Sequence, residues 1–463
     1  MPKINQFPGA YIAENQDRFV DEMKQLLAIP SVSTLPDHAA DCIACATFVA
    51  NLLVSAGFQN VSELPTKGMP VVYGDLITDP KLPTVLIYGH YDVQPADPLD
   101  LWETPPFRPT IRDGHIYARG ASDDKGQILA HIKAVEAFVK SGEPLPVNVK
   151  IIIEGEEEIS SPSFSDFLAQ NRERLQADVC LVSDTPMLSA DQPSLCTSLR
   201  GIVYFEIKLI GASTDLHSGQ NGGPAPNPIQ GLAQLINQLK NEQNHVTIPG
   251  FYDDVLPIPP QTRSSIEALP VNAQTFATQI GAQGLTGESG FHVLEQLWYR
   301  PTLDCNGIWG GFTGIGSKTV IPSEASAKIS MRLVRNQDPQ KIATAFRSYI
   351  QANVPPAFKL EIKEFHSGAP VGVDADHPAV KAGLAAVTKA FHKQAILQGE
   401  GGSIPIIKLL ESELNIPTIL MGFNLPNDAI HAPNERFSLE RFLNGIAASV
   451  YFMQFLSQSE LAE

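Results

Sequence analysis

Apolar residues along this chain repeat with two different spacings, and the spacing changes twice. Early on, NQDRFVDEMKQLLAIPSV (15–32) and ACATFVANLLVSAGF (44–58) place apolar side chains every three or four residues. These are amphipathic helices, the first stopped by Pro30 and the second by Gly57. Between and after them, TVLIYGH (84–90), NVKIIIEGE (148–156) and ADVCLVSD (177–184) are unbroken apolar runs bounded by turn residues. Strands of that kind, separated by helices, predict a parallel sheet covered on both faces. Beyond Arg200 the pattern becomes strict alternation, as in GIVYFEIKLIG (201–211), the mark of a half-exposed antiparallel strand. A helix (NPIQGLAQLINQLKNEQN), two strands (within KTVIPSEASAKISMRLV), a second helix (PQKIATAFRSYIQANV) and a last strand (FKLEIKEF) follow, giving a βαββαβ order. The Pro-rich GFYDDVLPIPPQTR and a further segment to about Thr313 interrupt it. From about residue 370 the first style returns, with helices in HPAVKAGLAAVTKAF and SIPIIKLLESEL, the strand PTILMGF and a final helix. The fold class is therefore α/β: a mostly parallel-sheet domain (1–199 and 370–463) split by an inserted ferredoxin-like α+β domain (200–369).

The polar residues at the strand ends carry the chemistry. TVLIYG ends in His90-Tyr91-Asp92, KIII in Glu154-Gly155-Glu156-Glu157-Glu158, and VCLVS in Asp184. PTILMGF is followed within ten residues by His431, and ARGASDDKG sets Asp123 and Asp124 ahead of an apolar helix. In open parallel sheets, sites form beyond the carboxyl ends of the strands, so these groups converge on one edge. Leaving even one clustered carboxylate dry and unpaired is expensive, and no Lys or Arg lies between Lys150 and Arg172. Divalent cations would supply the missing charge. Carboxylates mixed with imidazole suit zinc, manganese or cobalt rather than a thiolate-held structural zinc. His90 and Asp92, two apart in an extended chain, project the same way, so Asp92 can fix the His90 tautomer. Singly, each feature has a plainer reading: a loop hydrogen-bond pair for His90 and Asp92, a solvated helix start for the glutamates, a helix cap for Asp184. Together, at three strand ends, they point to a metal centre.

Composition narrows the partners. At 463 residues the chain is long enough for two domains, and a net charge of −17 argues against nucleic acid or anionic membranes. The N-terminal stretch has no apolar core of a signal peptide, and no run of about 18 uninterrupted apolar residues occurs. Five scattered cysteines suit a reducing compartment, and the Cys42/Cys45 pair has no second Cys or His pair nearby. The expectation is a soluble, cytoplasmic protein. His131, on an apolar helix face, reads as a core residue, and His377 as a helix cap.

The segments YGHYDVQP, YARGASDDKG, IIEGEEEISS, CLVSDTP, STDLHSG, KTVIP and EGGSIP resemble, in order and over nearly the whole chain, the dinuclear metallopeptidases. That family includes carnosine and cytosolic nonspecific dipeptidases, acetylornithine deacetylase and succinyl-diaminopimelate desuccinylase, and the resemblance is strongest with the dipeptidase branch. It implies that His90, Asp123 and Asp184 hold one metal and Asp123, Glu158 and His431 the other, with Asp123 and a water bridging. It also implies Glu157 as general base, Asp92 supporting His90, and a cis peptide between Asp123 and Asp124. From the inserted lid and dimerisation domain, His217 is expected to reach the partner subunit's active site in a homodimer and to steady the oxyanion. Arg332, Thr319 and Ser403 would bind a substrate carboxylate, with Glu400 and His366 as further substrate-binding positions. A guanidinium is apt for that, because it pairs with a carboxylate through two hydrogen bonds.

The resemblance thus implies hydrolysis of the peptide bond of dipeptides or short peptides by a hydroxide bridging two divalent ions, zinc or manganese and possibly cobalt. The same chemistry serves N-acyl-amino-acid deacylases, the alternative reading. In the family an Asp at the position of Asp184 accompanies dipeptidase activity and a Glu accompanies deacylation. The remaining alternative is an inactive binding protein, since a fold alone does not guarantee chemistry.

Overall fold

The structure, a computed structural model, describes residues 8–402 and 405–462. The chain divides into two compact units, one comprising the chain up to Thr197, Val373–Gln398 and the chain from Pro405, the other Ser198–Gly372 with Gly399–Ile404.

The first unit is built on a mixed sheet whose strands lie in the order Gln59–Leu64, Val71–Leu76, Asn148–Glu154, Thr84–His90, Val179–Val182, Thr418–Leu420 and Ser194–Leu199. The four central strands are mutually parallel, and antiparallel neighbours flank them on both sides. Their apolar runs are continuous because both faces are covered: Ile151, Ile152 and Ile153 are fully buried. Those three side chains alone contribute roughly 5–9 kcal/mol of burial. That anchors the strand firmly at the point where the acidic cluster emerges. Packed on the sheet, helix Lys125–Ser141 is buried at every residue from Lys125 to Phe138. The Lys125 ammonium donates to the carbonyls of Leu26 (3.2 Å) and Ile29 (2.7 Å), so it staples the helix start to the end of helix Gly9–Leu27. Helix Ala39–Ala56 ends on Gly57 at φ 101°, a left-handed cap that glycine adopts without strain. The segment Pro36–Ala56 is long and apolar enough by composition to cross a membrane (mean hydropathy 1.7). Its Cys42, Cys45, Val49 and Leu53 face, however, belongs to the core.

The second unit holds a four-stranded antiparallel sheet in the order Thr302–Gly310, Glu324–Leu333, Gly201–Ile210, Lys359–Gly368. Burial along Gly201–Ile210 alternates residue by residue, and helices Pro228–Asn237 and Pro339–Asn353 pack on the inward side chains. One element differs from the sequence expectation. The second strand of the βαββαβ order is Thr302–Gly310, which lies inside the segment read as an interruption. Val320–Ile321 instead pairs with Leu216–His217. Thr302–Gly310 is an exposed edge strand with a bulge between Cys305 and Gly307, so it lacks alternation, and its Asn306-Gly307 reads locally as a turn.

Candidate metal centre

The cluster begins where two parallel strands end side by side, with His90 paired in register to Glu154. The four glutamates then separate into different environments. Glu154 is buried and accepts from the Tyr88 hydroxyl (2.7 Å) and the Ser161 hydroxyl (3.0 Å), and burial pushes its carboxyl up to about 8. On protein groups alone, burial thus favours its neutral form. Glu156 is also buried and lies against Gly68, where any Cβ would collide with its carboxylate. Glu157 and Glu158 sit on the short 3-10 turn Glu157–Ile159, and both of their backbone amides donate to Asp92, to Oδ1 (3.2 Å) and Oδ2 (3.1 Å) respectively.

Asp92 is fully buried and ties three segments together. Besides those amides it accepts from the Ser33 hydroxyl at 2.6 Å and lies 3.4 Å from His90 Nδ1, whose other neighbour is the Asp92 carbonyl at 3.1 Å. With Nδ1 engaged on that side, His90 Nε2 faces Asp123 Oδ1 at 3.1 Å. The second Asp123 oxygen lies 2.8 Å from His431 Nε2, which is also 3.3 Å from Glu158 Oε2. Gln94 donates to the same Glu158 oxygen at 2.8 Å. The Asp123–Asp124 peptide is cis. His431 stands on an irregular loop with φ 59°. Asp184 follows the Val179–Val182 strand, and the next element is strand Ser194–Leu199 rather than a helix, so Asp184 caps nothing.

Charge here is arranged for cations. Burial and then the Asp123 carboxylate hold Asp184 well above the usual carboxylate range. Burial disfavours a charged His90, yet its hydrogen bonds to Asp123 and Asp92 outweigh this and hold the ring well above its ordinary value. Hydrogen bonds to Asp123 and Glu158 raise His431 to about 10. On protein groups alone, then, both imidazoles take up protons because the carboxylates demand positive charge, and those protons stand where a metal would. Ligand atoms of His90, Asp123 and Glu158 all lie within 4.8 Å of one another, and Glu158 Oε1 is buried without a hydrogen-bond partner. A donor set of two imidazoles and hard carboxylate oxygens, one of them orphaned, fits a divalent ion.

The remaining sequence-derived residues belong to the second unit. His217 is exposed, its ring accepting from the Gly219 amide at 3.0 Å, and the next residue's amide donates to the carbonyl of exposed Thr319 at 3.0 Å. Arg332 is half-buried opposite Thr302 and Ile202 in the sheet. Glu400 accepts from the Gly402 amide at 3.1 Å. His366 lies in register with Tyr204, its side chain outside the described residues, and Ser403 falls outside them altogether. Outside the centre, His131 is a satisfied core residue between the hydroxyls of Ser183 (2.6 Å) and Ser449 (2.8 Å), and His377 caps helix Pro378–Phe391. Ser33, Gln94 and Glu435 touch the centre and were not found by sequence. The one available signal was for Glu435, an acid four residues after a candidate ligand histidine.

Residues 86–454 match the family described as Peptidase family M20/M25/M40. The chain is similar to the Cys-Gly metallodipeptidase dug1 of Schizosaccharomyces pombe, 31% identical over 450 residues and covering 94% of each protein. It is also similar to the Beta-Ala-His dipeptidase of Rattus norvegicus, 30% identical over 470 residues, covering 97% of this chain and 95% of that one. Among solved structures, the M20 family metallo-carboxypeptidase Sso-CP2 of Sulfolobus solfataricus superposes with a TM-score of 0.81 at 30% identity, covering 95% of this chain and 99% of that one. On the fold, the cluster at the strand ends and these similarities, the chain belongs to the peptidase family M20/M25/M40.

Proposed function

We propose that this chain is a dinuclear metallodipeptidase acting on unblocked dipeptides. The observation that carries the reading is the convergence of His90, Asp123, Glu158 and His431 within hydrogen-bond distances of one another, beside Glu157, in a chain of this family. His90, Asp123 and Asp184 would hold one ion, and Asp123, Glu158 and His431 the other. Zinc, manganese and cobalt all suit these donors. When bound, such ions supply Lewis acidity, lowering the pKa of water from about 16 to about 7 and polarising the scissile carbonyl.

The rest of the work falls to the chain's own groups. Glu157 takes the proton of the attacking water and returns it to the leaving amine. Burial, offset in part by His90, sets its carboxyl at about 7 on protein groups alone, close to the range a general base needs. Neighbouring cations would keep it ionised. Asp92 fixes both partners of this step, because one carboxylate holds the Glu157 and Glu158 amides and the Nδ1 side of His90. His217, contributed by a second subunit, would stabilise the oxyanion, and Arg332, Thr319 and Ser403 would bind the substrate carboxylate, with Glu400 and His366 nearby in role. A homodimer and a cytoplasmic location are part of this proposal; the five scattered cysteines suit a reducing compartment.

The test is hydrolysis of unblocked dipeptides, N-acetylated amino acids and a tripeptide, with manganese or zinc restored after chelation and Glu157→Ala as control. Cleavage confined to dipeptides and lost in the variant supports the proposal. Cleavage of the acetylated compounds alone would move the chain to the deacylases, and no turnover with any metal would leave the binding-protein reading.

A further inference from the structure

Asp123 is central to the proposed centre, yet both of its carboxylate oxygens face histidines, so its side chain cannot also hold its own backbone in place. That task falls to a buried carboxylate from the other side of the cluster. Glu435 is fully buried and accepts four N–H groups. Its Oε1 takes the amides of Ser122 (2.9 Å) and Asp123 (3.2 Å), and its Oε2 takes the amide of Gly120 (3.0 Å) and the Arg119 guanidinium (2.7 Å). The Glu435 carbonyl also receives the Ala118 amide at 3.1 Å. Side chain and carbonyl of Glu435 together therefore hold groups from Ala118 to Asp123, and Glu435 belongs to the loop bearing His431.

That loop is itself fixed at its other foot. Asp428 forms a two-pronged pair with Arg441 (2.6 and 2.8 Å) and accepts the Leu425 amide at 2.7 Å. The Ser122 hydroxyl crosses between the two loops, donating to the Arg436 carbonyl at 2.8 Å. A buried ion pair adds little net stability compared with apolar side chains of the same volume, so four converging donors on one buried carboxylate are better explained by the geometry they impose.

We infer that Glu435 is a positioning residue that sets the distance between Asp123 and His431, and so tunes metal affinity without touching metal or substrate. The inference rests on the reading of Asp123 and His431 as metal ligands. In Glu435→Gln the side chain keeps its volume, but one acceptor oxygen becomes an NH2 group facing donors. The experiment titrates metal-free parent and variant with manganese against a competing chelator, alongside thermal unfolding and the kcat and KM of dipeptide hydrolysis. The expected result is a manganese Kd raised about 10–100-fold in a folded variant, with kcat largely recovered at saturating manganese and KM unchanged. A Kd within twofold of the parent overturns the inference, even if the melting temperature falls, because a merely structural residue behaves that way. Should Glu435→Gln not fold, Glu435→Asp, which keeps the charge but shortens the reach, carries the same measurement and the same criterion. A parent that binds manganese but cleaves no dipeptide defeats the dipeptidase reading alone, whereas a parent that binds none overturns both.

Discussion

Replacing Asp92 by Asn changes one oxygen for an NH2 group at a carboxylate where four contacts meet. The Oδ2 side is the tighter, with the Ser33 hydroxyl at 2.6 Å and the Glu158 amide at 3.1 Å, so the remaining oxygen should settle there. The new NH2 then faces the Glu157 amide and His90 Nδ1, formerly 3.2 and 3.4 Å from Oδ1. Two hydrogen bonds to a charged group are lost, about 1.5–3 kcal/mol each. Against this, a fully buried charge disappears, and its desolvation penalty was itself several kcal/mol. Global stability should therefore move little. Metal affinity has no such offset, because a neutral amide makes His90 a poorer donor. The Asp92 carbonyl at 3.1 Å still accepts the Nδ1 proton, however, so the tautomer survives and the loss belongs at the mild end, about tenfold in Kd or 1.4 kcal/mol. A chelator competition with manganese, with thermal unfolding on the same samples, measures both quantities. Affinity unchanged within twofold, or abolished outright, would show that Asp92 does not act through His90 as argued.

Four further outcomes are expected. Glu157→Ala should lower kcat by about 10²–10⁴-fold while leaving manganese binding in place; retained turnover would remove Glu157 as base. Because His90 and His431 carry protons on protein groups alone, loading the apo-protein at pH 7.5 should release at least about one proton per chain, read from calorimetry in buffers of different ionisation enthalpy. Burial holds His131 at about 3 against an ordinary value of 6.5, so its contribution to stability is complete above pH 6.5 and is lost as the pH falls towards 3, by at most about 1.4 kcal/mol per unit. The stability difference between parent and His131→Gln in urea should accordingly shrink from pH 7 to 5, and a constant difference would count against a neutral native His131. A Cβ at Gly89 would lie 2.1 Å from Ile128 Cγ2 and 2.7 Å from Asp124 Oδ2, so Gly89→Ala should cost about 1–3 kcal/mol in unfolding free energy, and no change would contradict that packing.

What could be read from sequence was whatever sits at the end of a regular apolar run. His90, Glu157, Glu158 and Asp184 were legible because buried strands have a recognisable pattern and their carboxyl ends have a known use. Ser33, Gln94 and Glu435 were not, because each acts through a partner remote in sequence, and Glu435 lies 312 residues from the Asp123 amide it holds. No local period marks such a pair. The acidic cluster was read as needing compensating charge. Part of the answer was invisible: burial favours the neutral form of Glu154, against the Tyr88 and Ser161 hydroxyls that donate to it, and the Asp92 carboxylate engages the Glu157 and Glu158 backbone amides. The edge strand Thr302–Gly310 escaped for the opposite reason. An exposed, bulged strand buries too little on either face to leave a period behind.

The 312-residue span between Glu435 and the loop it suspends also has a temporal meaning. A ribosome adding about 5–20 residues per second needs roughly 15–60 s to pass from one to the other. Throughout that interval the N-terminal part of the site exists without its anchor and without His431. On the proposed ligand set, a nascent chain that has not reached this loop carries most of the acids without His431, so the centre is completed only once the loop has been made.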